Sequence, residues 1–112
     1  MTIFRPKYVT FDCHGTLIYY AMAEAARALY GHEMDEPRML AFIKDFSAYR
    51  LDEVLGAWKP YLDVVHNSLE RTCRKHGIAF RPEHAVEVYE KVPTWGPHAD
   101  VPAGLAKVAE KI

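Results

Sequence analysis

The segment Tyr8-Val9-Thr10-Phe11 runs directly into Asp12-Cys13-His14-Gly15-Thr16-Leu17, and this stretch decides the fold that the sequence predicts. The β-branched and aromatic residues of the first segment are typical of a short strand, and the glycine after Asp12 indicates a tight turn. A carboxylate at the end of a strand, held among the amides of a turn, is oriented and partly shielded from water. The stretch therefore predicts a nucleophilic aspartate at position 12.

The pattern Asp-x-x-Gly-Thr-Leu after an N-terminal strand resembles the nucleophile motif of the haloacid dehalogenase superfamily. The order of the later segments is closest to that of the type II 2-haloacid dehalogenases. This resemblance implies an α/β fold, in which part of a doubly wound, Rossmann-like core carries an inserted helical-bundle cap. It assigns residues 1–19 to the first core strand and nucleophile turn, 20–92 to the cap, and 93–112 to a return connector and core helix. The rest of the core is then expected beyond residue 112, and the chain alone is expected to be inactive.

The resemblance also implies a reaction and a set of site residues. Asp12 is expected to attack a short 2-haloalkanoic acid, forming an aspartyl ester that water hydrolyses. Thr16 is expected to position that nucleophile, so the catalytic residues are Asp12 and Thr16. Cys13, His14 and Gly15 are expected to line the substrate, with Gly15 allowing the backbone to curl around the attacking oxygens. The dehalogenase reaction needs no cofactor and no metal.

His14 is the clearest departure from the family's patterns. Dehalogenases of the family carry an aromatic residue at this position, whereas the phosphatases carry an aspartate that protonates the leaving oxygen. Histidine is planar and can form a wall, but it also titrates near neutrality and can donate a proton. A wall is favoured, because halide leaves without a proton. The first alternative is a Mg²⁺-dependent phosphatase with Asp12 as a metal ligand, and the second is a non-catalytic helical interaction fragment.

A substrate carboxylate calls for a cation, and the type II enzymes place an arginine for it on the first long cap helix. Alignment of the patterns puts Ile43 or Lys44 at that position. Lys44 could serve as a point charge, although it lacks the bidentate fork of arginine. The alternative is an ordinary exposed lysine on a helix. Lys44 is therefore the predicted substrate-binding cation.

Helical signals fill most of the remaining chain. They predict five helices, over residues 21–30, from Asp35 to about Tyr49, and over residues 60–76, 82–92 and 101–112. Residues 51–58 are expected either to extend the second of these helices or to form a separate turn. Gly31 is expected to cap the first helix in a left-handed conformation. Trp58, Tyr61 and Trp95 are expected in the bundle core, and the alternative is that they form the wall of a pocket between cap and core. On the fourth helix, Val86, Tyr89 and Val92 are expected to face inward. The third helix is expected to have one apolar face, which consists of Tyr61, Val64, Val65, Ser68, Leu69, Thr72 and Cys73.

Composition limits the remaining possibilities. The chain has 112 residues, of which 50% are apolar and 26% charged, with a net charge of −1. This balance is typical of a globular domain and predicts neither a nucleic-acid nor a membrane partner. No apolar run approaches the roughly 20 residues that span a bilayer, and the N-terminus lacks the pattern of a signal peptide, so a cytoplasmic protein with two free cysteines is expected. A small-molecule substrate is the expected partner, and a homodimer through the cap is suggested by the resemblance only.

Overall fold

The computed structural model describes residues 3–112, which form five α-helices and two short 3-10 helices. The α-helices are α1 Met22–Tyr30, α2 Glu36–Leu55, α3 Tyr61–His76, α4 Pro82–Lys91 and α5 Val101–Lys111, and the 3-10 helices are Gly31–Glu33 and Val92–Thr94. They belong to two compact units. The helical unit, residues 21–92, contains α1 to α4; the turn unit, residues 3–20 with 93–112, contains the Asp12 segment and α5. Residues 1 and 2, part of the first predicted segment, lie outside the described residues.

The predicted α/β fold is wrong, because residues 3–112 contain helices and no sheet. The predicted strand Tyr8–Phe11 has no regular secondary structure. The β contacts within this range are isolated bridges from Ile18 to His14 and to Pro97. A strand persists only when its backbone N–H and C=O groups pair with a neighbouring segment. The β propensity of this segment is therefore not sufficient to form a sheet in the described chain.

The second helix is longer than its apolar spacing predicts. Its N-terminus is capped as expected, since the Asp35 carboxylate accepts a hydrogen bond of 3.0 Å from the Arg38 amide. The helix then continues past Tyr49 and ends at Leu55. Of the two alternatives for residues 51–58, an extension of the second helix is therefore correct as far as Leu55. Lys59 Nζ donates to the carbonyl of Glu53 at 2.9 Å and contacts its carboxylate at 3.0 Å. This lysine satisfies a carbonyl of the last turn.

A left-handed cap occurs at the end of α3 rather than at the end of α1. Gly31 has φ −59° because the chain continues from α1 into a 3-10 helix, so the predicted cap at this glycine is wrong. Gly77 has φ 69°, and the Ile78 amide donates to the Cys73 carbonyl at 2.9 Å. This is the arrangement in which glycine ends a helix without the steric cost of a Cβ.

Every buried residue of the described chain lies in the helical unit. Its largest fully buried side chains are Tyr30, Phe42, Phe46, Met22, Met39 and Leu69. The inward face predicted for α3 is confirmed from Val64 to Cys73. The face predicted for α4 is wrong, because Ala85 and Val88 are buried while Val86 and Tyr89 are exposed. Ala85 and Val88 lie on the side of α4 that faces the other helices, which apolar spacing alone does not reveal.

The outward side of α2 also carries large apolar residues. Leu40, Leu51, Val54 and Leu55 are between 55% and 76% exposed. Trp58, predicted to lie in the bundle core, is instead 88% exposed because it follows the end of α2 in the connector. None of the helices in residues 3–112 combines the length and apolar character of a membrane span.

Candidate active site

A closed backbone turn follows Asp12. The Cys13 carbonyl accepts hydrogen bonds from the amides of Thr16 at 3.1 Å, Leu17 at 2.9 Å and Ile18 at 3.2 Å. The amide of Gly15 in turn donates to the Ile18 carbonyl at 3.0 Å. Four consecutive amides are thus bonded within the turn itself. They fix the backbone between residues 13 and 18.

Gly15 is required by the conformation of this turn rather than by crowding. Its φ is +83°, a value that residues with a Cβ rarely adopt. A Cβ built on Gly15 would have Tyr20 Cβ as a neighbour at 3.9 Å, which is ordinary contact. A substitution here would therefore strain the backbone without a steric clash.

The carboxylate of Asp12 is held by a side chain. Thr16 Oγ1 donates to Asp12 Oδ2 at 2.8 Å. The turn amides expected to surround the carboxylate bond instead to main-chain carbonyls, so the hydroxyl does the positioning. Both residues are exposed, and Asp12 Oδ1 has no hydrogen bond within residues 3–112. Water and a small molecule can therefore reach Oδ1.

Two further hydrogen bonds attach the turn to the connector before α5. Tyr19 donates its amide to the Gly96 carbonyl at 3.0 Å, and His98 donates its amide to the Leu17 carbonyl at 3.1 Å. The rings of Tyr19 and His98 lie 4.3 Å apart, centroid to centroid. The turn unit thus brings together two segments that are about 80 residues apart in the sequence.

Aromatic rings extend from the turn. His14 and Tyr20 are stacked with centroids 5.1 Å apart and planes 4° from parallel. Trp95 lies against Tyr20 in an edge-on arrangement at 5.8 Å. Tyr20 is not among the residues that the sequence predicts for the site. Tyr20 comes just after the tight turn, and its ring folds back over His14. No sequence motif signals this contact.

The structure places the predicted site residues in two groups. Asp12, Cys13, His14, Gly15 and Thr16 share the turn, and the predicted contact between Asp12 and Thr16 is present. Cys13 is an exposed free thiol, in agreement with the prediction that it forms no disulfide. The remaining predicted site residue, Lys44, belongs to the helical unit and lies on the exposed side of α2. Its role in binding a substrate carboxylate stays a prediction.

Cys73 is a free cysteine in a very different environment. It is fully buried in the helical unit, and burial raises the pKa of its thiol. Burial likewise raises the pKa of the neighbouring Tyr30, whose hydroxyl lies 2.8 Å from His84 Nδ1. A thiol with a raised pKa remains protonated at neutral pH and is a poor nucleophile. Cys73 is thus part of the core.

An apolar cleft of about 260 Å³ lies beside the turn within the turn unit. Phe11 and Leu17 line one side, and α5 residues including Val101 and Leu105 line the other. Asp12 is outside this lining. In residues 3–112, no three histidine, cysteine or acidic side chains come together as a metal-binding group. The candidate site therefore consists of the Asp12 turn and its aromatic neighbours.

Comparison of this chain with protein-family models, with curated proteins and with solved structures finds no match.

Proposed function

We propose that the chain provides the nucleophile of a cytoplasmic hydrolase that dehalogenates short 2-haloalkanoic acids through an aspartyl ester. The observation that carries the proposal is the contact between Thr16 Oγ1 and Asp12 Oδ2 inside the Gly15 turn. This contact orients the carboxylate and leaves Oδ1 as the attacking atom. The proposal concerns this turn and its resemblance to the haloacid dehalogenase motif, and it does not require a sheet.

In the first step, Asp12 Oδ1 forms a bond to C2 of the substrate on the side opposite the halogen. The carbon–halogen bond breaks, and halide leaves with the electron pair, so the configuration at C2 inverts. The product of this step is an ester between Asp12 and the substrate. No proton is transferred, because halide is a stable anion.

In the second step, water attacks the ester carbonyl of Asp12. The bond between Cγ and Oδ1 breaks, a 2-hydroxy acid leaves with Oδ1, and one proton is released to solvent. Negative charge develops on Oδ2, which is the oxygen that accepts the Thr16 hydroxyl. A donor already placed on the developing oxyanion stabilises the transition state. Thr16 therefore contributes more to ester hydrolysis than to ester formation.

In the proposed reaction, the ring of His14 forms a flat wall beside the substrate and transfers no proton. Its parallel stacking on Tyr20 presents a flat aromatic surface next to the turn and supports the wall interpretation. The Mg²⁺-dependent alternative requires several oxygen ligands around the metal. Within the described residues no three histidine, cysteine or acidic side chains come together, so magnesium beside Asp12 would have to complete its coordination with water and phosphate oxygens.

Halide release from 2-chloropropionate by the full-length protein tests the proposal directly. We expect turnover that survives EDTA, because a neutral carbon–halogen bond does not need a cation beside the nucleophile. His14→Phe should lower the rate only a few-fold, whereas His14→Asp should lower it more by placing a like charge beside Asp12. Release of phosphate from an aryl phosphate ester that depends on Mg²⁺, with no halide release and with His14→Phe nearly inactive, would favour the phosphatase.

Replacing Thr16 separates the two chemical steps. Thr16→Val keeps the shape of the side chain and removes the donor to Oδ2. We expect ester hydrolysis to slow by about 10²-fold to 10³-fold, the effect of losing one oxyanion donor, while ester formation slows less. The ester should then accumulate on Asp12 and be detectable by mass spectrometry of the intact protein.

Thr16→Ser is the matched control for this prediction, since it retains the hydroxyl. It should keep most of the activity and accumulate little ester. Equal slowing of both steps in Thr16→Val would show that the hydroxyl only positions the carboxylate.

A further inference from the structure

Three aromatic rings are packed in series beside the Asp12 turn. The rings of His14 and Tyr20 are parallel to within 4°, with their centroids 5.1 Å apart. Trp95 meets Tyr20 edge-on, with centroids 5.8 Å apart and planes 78° from parallel. Both arrangements are those that aromatic pairs prefer. Tyr20 thus contacts both of the other rings, and its contact with His14 favours one orientation of the imidazole.

The main chain fixes one end of this aromatic stack. Gly96 directly follows Trp95, and its carbonyl accepts a hydrogen bond of 3.0 Å from the amide of Tyr19, which directly precedes Tyr20. Trp95 and Tyr20 are half-buried, whereas His14 is exposed. The stack is therefore anchored at its Trp95 end and accessible to a ligand at its His14 end.

The accessible end lies close to the proposed nucleophile. Asp12 and His14 are two residues apart, so their Cα atoms are separated by no more than about 7 Å. Asp12 is also exposed, and its Oδ1 has no hydrogen bond within residues 3–112. A ligand that brings its C2 carbon to Oδ1 can therefore place a group carried on its C3 carbon against the imidazole ring.

A planar aromatic group is the substituent that suits this surface. Any apolar group gains from burial of its area against the ring, but a second aromatic ring adds a stacking interaction beyond that area. The nearly parallel pair of His14 and Tyr20 offers such a ring the position of a third stacked layer. A saturated ring of the same size is thicker and has no π system, so it gains from burial alone.

We propose that His14, Tyr20 and Trp95 form an aromatic subsite that selects 2-haloacids with a planar aromatic group on C3. The inference rests on the proposed dehalogenation, for which it specifies the class of substrate. His14 contacts the aromatic group of the substrate. Tyr20 is a positioning residue, since it acts through the orientation of His14, and Trp95 supports Tyr20.

A pair of substrates tests the subsite in the full-length protein. 2-Chloro-3-phenylpropionate and 2-chloro-3-cyclohexylpropionate react at the same C2 centre and differ only in the ring. We expect kcat/KM to be about threefold to tenfold higher for the phenyl compound, the effect of one added aromatic stacking contact. The cyclohexyl compound is the more apolar of the two, so burial alone would favour it instead.

Replacement of single rings shows which residues carry this preference. Tyr20→Leu and His14→Leu should each bring the phenyl-to-cyclohexyl ratio of kcat/KM close to one, whereas Tyr20→Phe and His14→Phe retain a ring and should keep the preference. Tyr19→Leu is the matched control, because the Tyr19 ring lies against His98 and outside the stack. A merely structural role of Tyr20 would lower kcat/KM for both compounds equally and leave the ratio unchanged.

Binding without turnover is measured with 3-phenylpropionate, which has no halogen and cannot react. Its ring current should shift the NMR signals of the His14 imidazole, which are identified by their absence from the spectrum of His14→Phe. The saturated analogue 3-cyclohexylpropionate should shift them much less. Tyr20→Leu should reduce the shift that 3-phenylpropionate causes.

Failure of the subsite and failure of the dehalogenase give different results. Halide release that depends on Asp12, with equal kcat/KM for the two chlorinated compounds, would overturn the subsite and leave the proposed function intact. No halide release from any 2-haloacid, with a Tyr20-dependent shift of the His14 signals, would overturn the dehalogenase and support the subsite with an aromatic carboxylic acid as its ligand. His14 signals that 3-phenylpropionate leaves unchanged would overturn the subsite in both cases, and a phenyl preference that persists in Tyr20→Leu would overturn the role of Tyr20.

Discussion

Asp12→Asn is expected to abolish dehalogenation by the full-length protein, with kcat reduced by at least about 10⁴-fold. The amide has the same size and shape as the carboxylate but is neutral, and it cannot form the ester with C2. The turn should survive, because its backbone hydrogen bonds come from residues 13 to 18 and the amide oxygen can still accept from Thr16. Halide release and circular dichroism, measured on the same samples, check both statements.

Labelled water shows whether the Asp12 carboxylate itself reacts. In a single turnover, heavy oxygen from water should enter Asp12 and be absent from the first 2-hydroxy acid released. The product oxygen in that turnover comes from Oδ1. Label found directly in the product, with none in the protein, would mean that water attacks the substrate unaided and that Asp12 is not the nucleophile.

Asp100→Asn is the matched control for the nucleophile. Asp100 is also an exposed aspartate of the turn unit, where it precedes α5 and makes no side-chain capping bond. Its replacement changes the net charge as Asp12→Asn does. We expect it to keep nearly full activity, so that a large loss on both replacements would indicate a general effect of charge.

Phe42→Ala is expected to cost about 3–5 kcal/mol of unfolding free energy, the range for removing a fully buried phenylalanine. Phe42 is completely buried on α2, with its ring 5.2 Å from that of Tyr30 and 5.4 Å from that of His76. Truncation removes both contacts and leaves a cavity in the tightly packed helical unit. A loss of this size is a large part of the roughly 5–15 kcal/mol that stabilises a typical domain.

Urea unfolding followed by helix content measures this loss. Val86→Ala on α4 is the control, because its side chain is exposed and its removal should cost less than about 0.5 kcal/mol. A Phe42→Ala protein that is destabilised by less than 1 kcal/mol would show that the α1–α2–α3 contacts do not hold the helical unit together.

The sequence by itself determined where the helices of the helical unit begin and the contact between Thr16 and Asp12 in the turn. Asp35 starts α2 and Gly77 ends α3, because capping and left-handed conformations depend on one or two neighbouring residues. Thr16 reaches Asp12 across four residues for the same reason, since a tight turn brings such positions together. These features were accessible to sequence reasoning.

Only the tertiary structure decided which apolar residues have partners. Tyr8–Phe11 has the composition of a strand, but a strand is a property of two segments, and the described residues provide no second one. Val86 and Tyr89 fit a helical period as well as Ala85 and Val88 do, and the packing of α4 selected the smaller pair. The exposed apolar residues on the outward side of α2 and the exposed Trp58 follow the same rule. Periodicity fixes which residues share a side of a helix, whereas burial depends on what another part of the molecule places against that side.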